Sequence, residues 1–275
     1  MTHSIEIHAA DGFVLRATLY DAQSDRAVLI ASAMGVKRRY YDAFAQFLAS
    51  KGISVVTFDY RGIGESRPAS LRGFRATLAE WGRLDVTAAI DWIARELRPR
   101  SLAYVGHSAG GQLAGLAPNI EHVEQFVFVC AQSGYWRHWP GMRAWGLGAL
   151  WVAMPLISRV VGWFPSRTLG LGSDPLPREV ASEWARWGRH PDYLFGYNDP
   201  EPFARITAPI LAWSFAGDHY APKPAVDALL RHYSAAPVTR RHVTDRGIGH
   251  FGFFRRGQAE DLWNETHAII AAVPE

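Results

Sequence analysis

The sequence predicts a doubly wound α/β domain: a mostly parallel sheet, helices on both faces and one inserted helical segment. Three patterns carry this. Several apolar runs are of strand length and continuous rather than alternating, as expected of strands covered on both sides. Stretches with helical periodicity separate them. Residues 133–205 then break the alternation, with no clear strand over a span too long for a connecting loop.

The chain opens as strands. Ile5 and Ile7, then Phe13-Val14-Leu15, alternate around Asp11-Gly12, a hairpin turn signal. Continuous apolar strands are expected at 27–33, 53–60, 101–107, 126–131 and 209–216, and a further strand at 237–243. Tyr40, Phe44, Phe47 and Leu48 share a helical face, and Gly52 follows as a C-terminal cap. Val86, Ile90, Ile93 and Leu97 repeat at helical spacing, with Pro99 just past the end. Helices are also expected from Gly110, from Ala225 to Tyr233 and from Ala259 to Val273.

Residues 133–205 hold seven of the eleven tryptophans: Trp136, Trp139, Trp145, Trp151, Trp163, Trp184 and Trp187. They read as a helical lid inserted into a core made of residues 1–132 and 206–275. Most of the tryptophans are expected to pack the lid onto the core. Any left exposed offer a face to a second copy, giving a homodimer, or to lipid.

Composition narrows the function classes. A chain of 275 residues buries a substantial core without staples. The single cysteine, Cys130, cannot form an internal disulfide, which fits a reducing cytoplasm. Its setting in FVFVC reads as a small buried apolar residue. The net charge of +3 comes from scattered arginines, too sparse for a nucleic-acid face. Lys37-Arg38-Arg39 reads as a solvated loop face, with contact to an anionic part of the substrate as the alternative. The start lacks the basic-then-apolar pattern of a signal peptide. The longest uncharged run, Ala144 to Ser158, is short for a membrane span and contains Pro155. No integral membrane segment and a cytoplasmic location are therefore the expectations.

The strongest chemical signal is Gly106-His107-Ser108-Ala109-Gly110. A strand enters this G-x-S-x-G run and a helix leaves it. Such a turn needs small residues and lifts the serine hydroxyl above the sheet. Ser108 is the candidate nucleophile, and the Ala109 backbone N–H faces the place of an oxyanion. Gly106 and Gly111 have P-loop spacing, but Gln112 stands where the lysine must be. Gly62-Ile63-Gly64 lacks the third glycine of a dinucleotide fingerprint. No HExxH or clustered Cys/His set exists, so neither metal nor cofactor is expected.

A serine hydroxyl needs a base. Among eleven histidines, His250 lies in Gly-Ile-Gly-His-Phe-Gly after the last strand, where sites of such sheets assemble. His242 lies inside a strand, His107 must point away from the exposed side of Ser108, and His219 is a candidate to line the pocket. The imidazole in turn needs a carboxylate. Asp218 sits just past strand 209–216, between Ser108 and His250. Asp245 is the rival, but lies in what reads as a surface turn. Asp59 falls in a separate turn motif. A second oxyanion donor is expected after the third strand, where Gly35 lets the backbone approach, and the Met34 N–H is the choice.

Together these residues resemble the α/β-hydrolase superfamily, in particular its lipases, esterases and monoacylglycerol-lipase-like proteins. GHSAG carries the resemblance, with the order Ser, Asp, His. AGDHYAP and GIGHFGFF are similar to the family's acid and histidine loops. Asp59 to Ser66 resembles its D-x-R-G-x-G-x-S turn, which shapes the active-site mouth. Ala31-Ser32-Ala33-Met34-Gly35 departs from the frequent His-Gly form and looks like a less-studied bacterial branch. Ser108 argues against epoxide hydrolases and haloalkane dehalogenases, which carry Asp at the elbow. The resemblance implies an α/β-hydrolase fold and a serine hydrolase acting on a small-molecule ester or related acyl substrate. Thioesterase, amidase, acyltransferase, serine peroxidase-like or C–C bond hydrolase action, or a catalytically silent binding protein, are the alternatives.

Overall fold

The computed structural model describes residues 1–168 and 174–272. Its strands are β1 (Thr2–His8), β2 (Val14–Tyr20), β3 (Arg26–Ala31), β4 (Ser54–Phe58) and β5 (Ser101–His107). They continue as β6 (Gln125–Val129), β7 (Trp163–Phe164), β8 (Leu176–Pro177), β9 (Ile210–Phe215) and β10 (Val238–Val243). Eight of them form one sheet in the order β1-β2-β4-β3-β5-β6-β9-β10. β2 runs antiparallel to both its neighbours, and every other pair is parallel. This is the α/β-hydrolase fold that the sequence implied.

The continuous apolar runs explain the middle of the sheet. Every residue of β4, β6 and β9 is buried, because helices cover both faces. β10 differs. It lies at an edge, and its residues from Thr239 to His242 are exposed. Arg240 and Arg241 there pair with Asp227 and Glu265, so charge guards the open edge.

The helix marked by Val86 to Leu97 starts earlier than its periodicity indicated. Helical turns run from residue 78 to residue 97. Thr77 opens them with a capping box. Its hydroxyl accepts the Glu80 N–H at 3.2 Å, and the Glu80 carboxylate accepts the Thr77 N–H at 2.7 Å. The last helix is Glu260–Ala271, and Val273 lies outside the described residues.

Residues 133–205 connect β6 to β9. They contain two main helices, Met142–Val161 and Arg178–Arg189. They also contain a two-residue antiparallel pair, β7 with β8, where no strand was expected. Two residues are too few for a period-2 pattern to register. Trp151 and Trp187 are buried, Trp136, Trp163 and Trp184 are half-buried, and Trp145 is exposed. Pro155 does not end its helix. Met142–Val161 is long and apolar enough, by length and composition, to cross a membrane. One face of it is nevertheless packed on the protein, through Ala144, Trp151, Met154 and Ser158.

Candidate active site

Ser108 sits at the turn between β5 and the helix Ala109–Leu113, with φ of 51° and ψ of −112°. A non-glycine residue at positive φ is strained, and its neighbours make room for it. A Cβ on Gly106 would lie 2.6 Å from the Gly111 Cα, and one on Gly110 would collide with the Ala31 carbonyl oxygen. The turn is tied down by Ser108 N–H to Val129 O at 2.9 Å and by Gly111 N–H to Ser108 O at 3.0 Å. The helix that follows is fixed by tyrosines. Tyr104 and Tyr233 donate to the carbonyls of Gly110 and Gly111, and Tyr193 donates to the Gln112 side chain.

Asp218 follows β9 and a left-handed Gly217. His250 lies in the short helix Gly249–Gly252. The two meet: His250 Nδ1 is 2.8 Å from Asp218 Oδ2. The other oxygen, Oδ1, accepts the N–H groups of Tyr220 at 2.8 Å and Ala221 at 3.0 Å. Burial alone would raise the Asp218 carboxyl. The His250 imidazole and the Tyr220 N–H outweigh it and hold the group below its ordinary value. An ionised Asp218 accepts from Nδ1, so His250 carries its proton there and Nε2 is left as the basic nitrogen.

Ser108 and His250 line one cavity of about 380 Å³, together with Ala33, Met34 and Phe251. The inserted segment supplies the opposite wall through Trp139, Leu147, Leu150, Trp151 and Trp184. His219 also lines it, and Arg143 Nη1 lies 2.8 Å from His219 Nδ1. Asp245 is exposed beside Arg246, and the carboxylate hydrogen-bonded to His250 is that of Asp218. His242 is on the exposed edge strand, bonded to Ser214.

Several relationships were not legible in the sequence. His107 is buried, with Nε2 2.9 Å from the His250 carbonyl oxygen and Nδ1 2.9 Å from the Tyr41 hydroxyl. A carbonyl only accepts, so Nε2 carries the hydrogen and Nδ1 accepts from Tyr41. The Tyr41 oxygen in turn accepts the Ala33 N–H at 2.8 Å. Burial, reinforced by His250, pushes the His107 pKa down to about 3, so this ring stays neutral.

Cys130, read as a plain apolar residue, is buried with its sulfur within 4.8 Å of an Asp218 oxygen. Burial and the neighbouring carboxylate push its thiol well up, so it remains protonated. Cys130, Asp218 and His250 place one ligand-type atom each within 4.8 Å of the others, a grouping of the kind that can hold a metal ion. Both Asp218 oxygens are already engaged by His250 and backbone N–H groups, and hydrogen bonding accounts for the cluster.

The Lys37-Arg38-Arg39 run is a solvated face at Lys37 and Arg39, which are exposed, but not at Arg38. Arg38 is buried and pairs with Asp59 and Glu65, Arg39 also pairs with Glu65, and Lys37 pairs with Asp174 at 3.0 Å. None of the three lines the cavity with Ser108. Asp174 also accepts the Gly64 N–H at 2.8 Å and donates its own N–H to Gly35 at 3.0 Å. The returning end of the insertion thus braces the loop that carries Met34.

Fold and site together define an α/β-hydrolase: the chain belongs to the alpha/beta hydrolase family, whose model matches residues 27–261. No curated protein sequence matches it significantly. Among solved structures it is similar to DcsB in complex with its substrate analogue, at 16% identity and a TM-score of 0.70, covering 99% of each chain. It is also similar to the Pyrococcus furiosus esterase Pf2001, at 17% identity and a TM-score of 0.67, covering 98% of this chain and 91% of that one. The Exiguobacterium antarcticum esterase EaEST aligns at 16% identity and a TM-score of 0.66, covering 98% of this chain and all of that one.

Proposed function

We propose that the chain is a serine hydrolase that cleaves a carboxylic ester through an acyl-enzyme on Ser108. The observation that supports this most is the 2.8 Å pairing of His250 Nδ1 with Asp218, beside Ser108 on a shared cavity. In this reading His250 Nε2 takes the Ser108 proton as Oγ attacks the acyl carbon. The tetrahedral oxyanion is held by the N–H groups of Met34 and Ala109. The Ala33 N–H is already committed to Tyr41, which favours Met34. Protonated His250 then gives its proton to the leaving alcohol, and water, activated by the same ring, hydrolyses the acyl-enzyme. Asp218 holds the tautomer and stabilises the imidazolium. The insertion acts as a cap, and its aromatic and aliphatic wall suits an acyl chain or an aromatic group.

The test is hydrolysis of p-nitrophenyl esters from acetate to palmitate, with Ser108→Ala alongside. Turnover at some chain length, lost by more than about 10³-fold in the variant, is the expected result. Labelling of Ser108 by a phosphonate probe without turnover of any ester would move the reading to another acyl chemistry. Neither turnover nor labelling would sink it in favour of a binding protein.

A further inference from the structure

We propose that the helix Met142–Val161 docks on the surface of an anionic lipid bilayer, lying in the plane of the interface. One side of this helix is apolar and open to solvent. Trp145 is 67% exposed, Val152 55%, Leu156 62% and Val160 82%. With the exposed Ala149 these residues recur at four, three, four and four positions, which makes one continuous stripe. The opposite side holds Ala144, Trp151, Met154 and Ser158, all packed on the protein. Trp151 fastens that side further by donating to the Gly134 carbonyl at 3.0 Å. A helix so anchored lies on a surface rather than spanning it.

Charge identifies the occupant. Between Glu124 and Asp174 there is no acidic residue, and there are four arginines: Arg137, Arg143, Arg159 and Arg167. A fifth cation, Arg72, reaches the Val161 carbonyl at 3.0 Å and lies 5.9 Å over the Trp163 ring. Trp136 packs on Trp145 near the start of the helix, and Trp163 follows its end. An apolar stripe with exposed Arg159 on the same helix, Arg72 at its end and tryptophan near both ends has the composition of an interfacial helix on anionic lipid. A second copy fits less well, since a two-fold contact would set this acid-free, arginine-bearing face against itself. The same helix sends Gly146, Leu147 and Leu150 into the cavity wall, so the docked face adjoins the cavity.

The proposal concerns binding alone and stands whether or not Ser108 is a nucleophile. The test is flotation of the full chain with vesicles of phosphatidylcholine, with and without phosphatidylglycerol, at low and high salt. We expect flotation with the anionic vesicles, weakened by salt. The double variant Leu156→Glu/Val160→Glu should weaken binding at least about tenfold while its thermal melt is unchanged. Arg159→Glu, an exposed and conservative-to-fold change, should weaken binding to anionic vesicles as well. Absence of wild-type flotation at low salt would overturn the proposal. So would undiminished binding of the variants, or a solution dimer that the double variant dissociates.

Discussion

His107 Nε2 lies 2.9 Å from the carbonyl oxygen of His250, a residue 143 positions further along the chain. Through Tyr41 the same ring reaches the Ala33 N–H. The short helix carrying the candidate base and the loop carrying Met34 are therefore held by one buried imidazole. His107→Phe leaves the Tyr41 hydroxyl and the His250 carbonyl without this partner. We expect a loss of about 1–3 kcal/mol in chemical denaturation and a lower kcat.

The same ring sets a pH dependence. Its folded pKa is about 3, while an unfolded histidine titrates near its ordinary value of about 6.5. As pH falls between those values the unfolded state gains a proton that the folded state does not. Stability should therefore fall with pH across that window. His107→Phe should flatten this slope, and denaturant titrations at a series of pH values read it directly.

Asp218→Asn should keep the fold and remove the preference for the Nδ1–H tautomer of His250. By the logic of such triads, kcat falls by about 10⁴-fold. Because the folded Asp218 pKa is depressed, its contribution to stability is present above the ordinary carboxylate range and is lost as pH falls through its folded value. The stability gap between wild type and variant should narrow accordingly in acid.

Two glycine substitutions should act in opposite directions. Gly110→Ala drives a Cβ into the Ala31 carbonyl, and the elbow must shift or the chain fail to fold. Gly146→Ala meets open space in the interior of Met142–Val161. It should raise stability by about 0.5–1 kcal/mol, measured by thermal melting, because alanine loses less backbone freedom.

Asp85 is buried beside Arg61, 2.7 Å from Nε and 2.9 Å from the Arg61 backbone N. Asp11 holds the far end of the same guanidinium at 2.6 Å. Asp85→Ala leaves a buried charge half-paired and should cost about 3–5 kcal/mol of stability.

What was legible in the sequence was local. The elbow could be read because Gly106, Ser108 and Gly110 are neighbours in the chain and in space. Asp218 and His250 could be placed because each follows a recognisable strand end. Tyr41 and His107 are 66 residues apart, and no spacing marks them as partners. The burial of Arg38 was missed for a related reason. Its counter-charges, Asp59 and Glu65, come from another turn. Cys130 looked apolar because its neighbours are apolar. Its carboxylate neighbour comes from the end of β9, the strand beside β6 in the sheet.

That adjacency of β6 and β9 has an evolutionary meaning. The insertion leaves and re-enters the sheet at neighbouring points, so mutation can rework it without rethreading the strands. Substitution at Leu147, Leu150 or Trp184 would reshape the cavity wall while leaving the turn around Ser108 in place. The freedom is bounded where the segment grips the core, among other places at Asp174 and Tyr193, which clasp the Gly35 loop and the Gln112 side chain. A graft of this segment onto another core would have to preserve such contacts.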